Sequence, residues 1–254
     1  MVKLSIAIHS NRPGNIKKFS TSIKEKLASL NTEVVAVIQP PVSLADCINV
    51  TKPIYHEAFD QSKPIPFVML RHIAITSCVG EYILLVDDDH TFVDGSAKYL
   101  DECVSYMDSN PDVGILATKG VFGSVAWGDR IVKHPTSGVM ATSRGVIIRN
   151  VSDAITNNEE NKLVGAGDEY IIGYRIMAAG WSFAKRFMNP TLQAPTKQVG
   201  HNNISYNVNL MNNNVRQYIR TRYQDPNWSY IGHRPGAPIR FPKGLLVEQK
   251  RNRK

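Results

Sequence analysis

The first half of the chain alternates between short apolar runs and stretches with apolar residues at helical spacing. The apolar runs predict strands at Leu4 to His9, Val34 to Ile38, Tyr82 to Val86 and Val113 to Thr118. The helical spacing predicts helices at Ile16 to Leu30, Phe67 to Cys78 and Ser96 to Met107, with a turn at Arg12-Pro13-Gly14 and Asn31 at the end of the first helix. Strands that alternate with helices are typical of an α/β fold with a mostly parallel sheet flanked by helices.

The second half is less regular. It contains strand-like runs at Gly138 to Thr142 and Val146 to Ile148, and a predicted helix at Asp168 to Ala179. The sequence shows no internal repeat and no clear linker. We therefore predict a single α/β domain over residues 1–205, with a further segment over residues 206–254 that packs on the active site or closes over it.

The composition agrees with an ordinary globular protein, because 43% of the 254 residues are hydrophobic and 20% are charged. These values argue against a disordered chain, and no apolar run approaches the roughly 20 residues of a membrane helix. The start of the chain is typical of a strand and not of a signal peptide. With three cysteines and no CxxC pair, we expect a cytoplasmic protein, in the host cytoplasm if it is viral.

The net charge of +8 is concentrated at one end of the chain. Residues 215–254 hold ten Lys or Arg and two Asp or Glu, so this segment carries the entire excess. A basic segment is expected to contact a polyanion: a nucleotide diphosphate, a nucleic acid or an anionic membrane. Within it, Trp228 and Tyr230 precede His233-Arg234, and aromatic residues interleaved with Arg can stack on bases or form a lid over a nucleotide.

Three consecutive carboxylates, Asp87-Asp88-Asp89, follow the predicted strand Tyr82 to Val86 directly. A buried parallel strand delivers its next residues to the carboxyl edge of the sheet, where α/β proteins bind ligands. The three acids repel one another, and a hard divalent cation such as Mg²⁺ or Mn²⁺ is the simplest partner for them. Asp87 and Asp89 face the same way on an extended backbone and could share the cation. The alternative is an acidic turn that caps the helix starting near Ser96.

Two further acids, Asp168 and Glu169, stand at the start of a predicted helix. The helix dipole favours their ionised form, and an ionised carboxylate beside a substrate hydroxyl can act as a general base. Simple N-capping by Asp168 is the alternative. Arg71 and His201 are weaker candidates, because Arg71 can be a surface residue of an amphipathic helix and a lone histidine is more often structural than a metal ligand.

These motifs resemble those of the GT-A nucleotide-sugar glycosyltransferases, and of glycosyltransferase family 2 in particular. The stretch RHIAITSCVGEYILLVDDDHTF, Arg71 to Phe92, is similar to the central block of the family, where an apolar strand leads into a DxD motif. The stretch GDEYIIGYRIMAAGW, Gly167 to Trp181, resembles the later helix that carries an acidic pair. The opening strand, followed by His9-Ser10-Asn11-Arg12, is similar to the first nucleotide-binding loop. The resemblance covers roughly residues 3–205 and implies a GT-A, Rossmann-like fold.

The resemblance also implies a role for each matching residue. The implied metal ligands are Asp87, Asp89 and His201. The implied nucleotide-binding residues are His9, Asn11, Arg12, Arg71, Asp87 and Asp88. Asp168 and Glu169 match the acidic pair that carries the general base in inverting members. In the basic segment, Arg234 or a neighbour would close over the phosphates.

The chain departs from the family pattern after the second strand, where Ile38-Gln39-Pro40-Pro41 stands in place of the usual Asp-Asp-Gly-Ser. Base recognition must therefore differ, and the nucleotide stays open. The acidic pair is Asp-Glu and not Glu-Asp, and His72 replaces the usual Asn. The identity of the general base, and whether the anomeric configuration is inverted or retained, stay open as well.

We therefore expect a metal-dependent glycosyltransferase, hexosyl or pentosyl, that moves a sugar from a nucleoside diphosphate sugar to an acceptor hydroxyl with Mn²⁺ or Mg²⁺ bound. The basic segment makes a hydroxymethylated DNA base, of the kind some phages glycosylate, one candidate acceptor. A glycan or a lipid-linked acceptor is the alternative. The rival hypotheses are a non-catalytic nucleic-acid-binding protein, which leaves the acids unexplained, and a nucleotidyltransferase, for which Arg12-Pro13-Gly14-Asn15 is only a faint phosphate loop.

Overall fold

The computed structural model describes residues 2–57, 67–117, 122–127, 130–135, 140–151, 171–173, 175–176, 181–185, 196–198 and 217–218. The strands are β1 (Leu4–Ser10), β2 (Thr32–Ile38), β3 (Lys52–Tyr55), β4 (Tyr82–Val86), β5 (His90–Phe92), β6 (Val113–Ala117), β7 (Phe122–Trp127), β8 (Arg130–Pro135), β9 (Met140–Arg144), β10 (Ser182–Lys185) and β11 (Thr196–Gln198). The helices are α1 (Pro13–Lys26), α2 (Phe67–Ser77), α3 (Ser96–Ser109) and α4 (Gly145–Val151), with a 3-10 turn at Leu44–Asp46. In the described residues, no helix is long and apolar enough to cross a membrane.

Seven strands form one sheet in the order β10-β6-β9-β4-β1-β2-β3. Six of them run parallel, and β9 runs antiparallel between β4 and β6. Two small antiparallel pairs, β5 with β11 and β7 with β8, stand apart from this sheet. The predicted mostly parallel α/β sheet is thereby confirmed.

The central strands are buried on both faces, as their continuous apolar runs predict. Every residue of β4 is buried, and so are all residues of β1 except His9. Helix α1 packs Phe19 into the core, and α3 packs Tyr99 there. Because β1 and β4 are adjacent and parallel, the residues that follow them emerge side by side at the carboxyl edge of the sheet.

Helix α1 differs from its predicted bounds at both ends. Pro13 occupies the first turn of the helix and is not part of a preceding turn, because its fixed φ and missing N–H are tolerated there. The helix ends at Lys26 with Leu27 as its C-cap, so Asn31 does not end it. The predicted strand at Val146 to Ile148 is also wrong, since these residues lie in α4. A three-residue apolar run does not distinguish a strand from one buried face of a short helix.

Strand β3 was not predicted because its four residues, Lys52–Tyr55, are mostly exposed at the edge of the sheet and form no apolar run. Part of the predicted helix at Asp168 to Ala179 lies outside the described residues, and residues 171–173 and 175–176 within it are helical. The division into residues 1–205 and 206–254 stays a prediction.

Candidate active site

The acidic motif lies where the sequence predicts it, at the carboxyl edge of the central sheet. Strand β4 ends at Val86, and Asp87 to Asp89 follow it before the short strand β5 begins at His90. The neighbouring strand β1 ends at Ser10 and brings the loop from Ser10 to Arg12 to the same edge. Helix α3 begins after Gly95, which has a positive φ of 84°, and no side chain of the described residues caps it. The acids therefore do not serve as its N-cap.

Asp88, the middle acid, is bound by the loop that follows β1. The Arg12 guanidinium donates from Nε to Asp88 Oδ2 at 2.9 Å, and its Nη2 forms a second bond to Oδ1. The Ser10 hydroxyl donates to Asp88 Oδ2 at 2.6 Å. Asp88 is 5% exposed, so its carboxylate is buried in a bidentate ion pair with Arg12. It holds the loop and the acidic motif together as one unit.

Asp87 is bound from the core side by Arg71 of α2. Arg71 is fully buried, and its Nη2 donates to Asp87 Oδ1 at 2.7 Å. Its Nη1 donates to the backbone carbonyls of Val86 at 3.0 Å and Ala7 at 3.3 Å. One guanidinium thus ties α2 to β1, β4 and the acidic motif. Arg71 is therefore not the surface residue that an amphipathic helix would also allow.

Asp89 faces His90. The Nδ1 atom of the imidazole lies 2.9 Å from Asp89 Oδ1, and both side chains are less than a tenth exposed. One ligand atom from each of Asp87, Asp89 and His90 lies within 4.8 Å of the other two. Oxygen and nitrogen donors this close together match the coordination needs of a divalent cation. Asp88 is not part of this group. The sharing of a metal by Asp87 and Asp89 stays a prediction.

Three adjacent carboxylates repel one another, so cationic partners stabilise them. Among the described residues, Arg12 pairs with Asp88 and Arg71 pairs with Asp87, while Asp89 lies beside His90. A bound cation would add to these interactions.

The remaining predicted site residues fall into two sets. His9 and Asn11 are half-buried on β1 and just after it, at the same edge as the acids. Asp168, Glu169, His201 and Arg234 lie outside the described residues, and their roles stay predictions. Strand β11, however, brings Gln198 opposite His90, three residues before His201.

Two residues of this site were missing from the prediction. His90 stands next to the acids in the sequence, and an imidazole beside a carboxylate cluster is a metal-ligand signal in its own right. Ser10 carries no such signal, because a serine at the end of a strand is common. Its contact with Asp88 bridges 78 residues and follows only from the pairing of β1 with β4.

Comparisons with known proteins support this fold. No protein-family model matches the chain, and no curated protein matches its sequence. Among solved structures, S. aureus TarS is similar with a TM-score of 0.54 and 13% identity, over 89% of this chain and 40% of that chain. S. aureus TarS 1-349 in complex with UDP is similar with a TM-score of 0.51 and 12% identity, over 87% of this chain and 72% of that chain.

This chain therefore spans 40% of the longer TarS structure. At 12–13% identity the likeness shows the fold alone. That fold is of the GT-A type, with a mostly parallel sheet flanked by helices, as the sequence predicts.

Proposed function

We propose that this protein is a metal-dependent glycosyltransferase, which moves a sugar from a nucleoside diphosphate sugar to an acceptor hydroxyl. The observation that carries the proposal is the grouping of Asp87, Asp89 and His90 at the carboxyl edge of a GT-A-type sheet. The similar TarS is a glycosyltransferase, and one of its structures is a complex with UDP. Both facts support a nucleotide-sugar donor for this chain.

The side chains at this edge suit a divalent cation. Ligand atoms of two carboxylates and an imidazole lie within 4.8 Å of one another. Asp87 and Asp89 would hold the cation. When bound, a cation at this position neutralises the negative charge that grows on a leaving diphosphate.

The protein's own contribution at this edge is to fix the acids before any ligand arrives. Arg71 fixes Asp87 from the core side, and Arg12 with Ser10 fixes Asp88 from the side of β1. Groups that are already oriented lose little freedom when the reaction begins, which is why preorganised sites are effective. We expect Arg71 to act on the nucleotide indirectly, through Asp87, because its guanidinium is buried.

Three roles rest on the sequence. Asp168 or Glu169 would accept the proton of the acceptor hydroxyl as its oxygen bonds to the sugar. Arg234 would close over the diphosphate. His201 would be a further metal ligand, and the pairing of Gln198 with His90 supports its placement near the acids.

The acceptor proposed here is a hydroxymethylated base in DNA. Support comes from the ten basic residues among residues 215–254, since a phosphate backbone attracts such a segment. The DNA-binding affinity should then fall steeply with rising salt concentration. Binding to anionic liposomes and not to DNA would favour a lipid-linked acceptor instead.

The proposed activity is tested by incubating the full chain with a panel of nucleoside diphosphate sugars, with Mn²⁺ or with EDTA. Release of the nucleoside diphosphate is measured, because slow hydrolysis of the donor requires no known acceptor. We expect release from one donor, only with the metal present. If no donor is cleaved and no nucleoside diphosphate stabilises the fold, the proposal fails.

A further inference from the structure

Three described residues at the acidic motif could hold a metal: Asp87, Asp89 and His90. His90 is the one that offers a nitrogen ligand. Its side chain is 1% exposed, and neither ring nitrogen has a hydrogen-bond partner in the described part of the chain. The Nδ1 atom lies 2.9 Å from Asp89 Oδ1 but is not aligned for a hydrogen bond with it. Buried polar groups are nearly always satisfied, so an imidazole in this position is suited to bind a ligand.

The imidazole is held there by rigid elements. Strand β5 pairs with β11, and His90 lies opposite Gln198. Two residues along β5, the Phe92 backbone N–H donates to the Ser22 hydroxyl oxygen at 3.0 Å, and the Phe92 ring packs on Phe19 of α1 with 5.7 Å between centroids. The backbone of β5 at His90 is therefore held beside the acids by the pairing with β11 and by the contacts of Phe92.

The third acid is not available to complete an all-oxygen site. Asp88 accepts hydrogen bonds from the Arg12 guanidinium and the Ser10 hydroxyl, and it is not part of the group that Asp87, Asp89 and His90 form. The described donors that converge are therefore two carboxylates and one imidazole. This donor set differs from the oxygen ligands that Mg²⁺ prefers.

We propose that His90 is a metal ligand beside Asp87 and Asp89, and that it makes this site select a first-row transition-metal ion, such as Mn²⁺, over Mg²⁺. Mg²⁺ keeps its waters and binds oxygen, whereas imidazole nitrogen raises the affinity for transition-metal ions. The inference rests on the metal site of the proposed function, although it does not require that a sugar be transferred.

The first test is calorimetric titration of the full chain with Mn²⁺ alone and with Mg²⁺ alone. The wild type should bind Mn²⁺ more tightly than Mg²⁺. His90→Gln should lose roughly tenfold or more of its Mn²⁺ affinity, the scale on which even supporting groups affect metal binding. Its Mg²⁺ affinity should change much less. His72→Gln, which alters a buried histidine of α2 outside the metal group, should leave both affinities unchanged.

The second test does not depend on whether the His90 variant folds. Pulsed electron paramagnetic resonance of Mn²⁺ bound to the wild type should detect coupling to a ¹⁴N nucleus. Because His201 is also a candidate ligand, the same measurement on His201→Gln is decisive. Coupling that persists in His201→Gln supports His90, and coupling that disappears there overturns it.

The inference and the proposed function fail separately. Equal affinity for Mn²⁺ and Mg²⁺ in the wild type would overturn the role of His90 and leave the glycosyltransferase proposal intact. If the protein binds Mn²⁺ selectively through His90 but cleaves no donor, the role of His90 stands and the glycosyltransferase proposal fails.

Discussion

The two ends of the central sheet both carry clusters of charged residues, but the clusters are built differently. At the amino edge, Lys3 pairs with Glu81 at 2.7 Å and with Asp108 at 3.1 Å, and Arg144 pairs with Glu81 at 3.3 Å. Two cations meet two anions there, and these side chains reach solvent. At the carboxyl edge, the described pairs join Arg12 to Asp88 and Arg71 to Asp87, with Asp89 beside His90, and most of these side chains are buried.

The difference distinguishes a structural network from the proposed binding site. At the amino edge, the hydrogen bond from Lys3 lowers the pKa of Glu81, and the hydrogen bond to Glu81 raises the pKa of Lys3. Each charge there has its partner within the protein. The carboxyl edge groups two carboxylates with a buried imidazole that has no hydrogen bond in the described structure, as the proposed metal site requires.

The largest effect is expected from the acid that lies beside His90. Asp89→Ala should abolish turnover, by about a thousandfold or more, because metal ions contribute several kcal/mol to such reactions. The fold should remain intact by circular dichroism. Asp94→Ala is the matched control, since the Asp94 carboxylate is 94% exposed and pairs with Lys26. A folded Asp89→Ala protein with normal activity would contradict the proposed metal site.

A smaller effect, on stability, is expected from Arg71. Arg71→Met leaves the Asp87 carboxylate and the carbonyls of Ala7 and Val86 without this donor, so the free energy of unfolding should fall by about 3 kcal/mol or more. Urea unfolding measures it. Arg144→Met at the amino edge should cost at most about 1 kcal/mol, because it breaks a more exposed pair. Equal losses in the two variants would contradict the contrast between the edges.

The smallest effect is expected from Lys3. Lys3→Met should lower the free energy of unfolding at pH 7 by no more than about 1 kcal/mol. Because the pKa of Glu81 is lowered in the fold, its contribution is complete above its ordinary pKa of 4.5 and is lost as the pH falls. The difference in the free energy of unfolding between variant and wild type should therefore decrease from pH 7 to pH 3. If this difference stays constant or increases as the pH falls, the network is not held by ionic interactions.

Much of the fold could be predicted because it follows from local patterns. The five apolar residues Tyr82–Val86 predict a buried parallel strand, and that strand alone places the acids at the carboxyl edge. The short run at Val146 to Ile148 carries too little periodicity to tell strand from helix. The exposed edge strand β3 carries no hydrophobic pattern at all.

The partners of the acids could not be predicted in the same way. Arg12 is 76 residues from Asp88 in the sequence, and the pair forms only because β1 lies beside β4. The position of His90 likewise depends on the pairing of β5 with β11 and on the packing of Phe92 against α1. A sequence shows that the negative charge of three adjacent carboxylates needs positive partners. The tertiary structure decides which groups are these partners.

The central claim is that Asp87, Asp89 and His90 at the carboxyl edge bind a cation, which in turn binds a nucleoside diphosphate. The most direct measurement is the melting temperature of the full chain with Mn²⁺, with each nucleoside diphosphate, and with both together. We expect one diphosphate to stabilise the protein only when Mn²⁺ is present, since without it the acids repel the phosphates. Equal stabilisation by the diphosphate in EDTA, or none under any condition, would contradict the account.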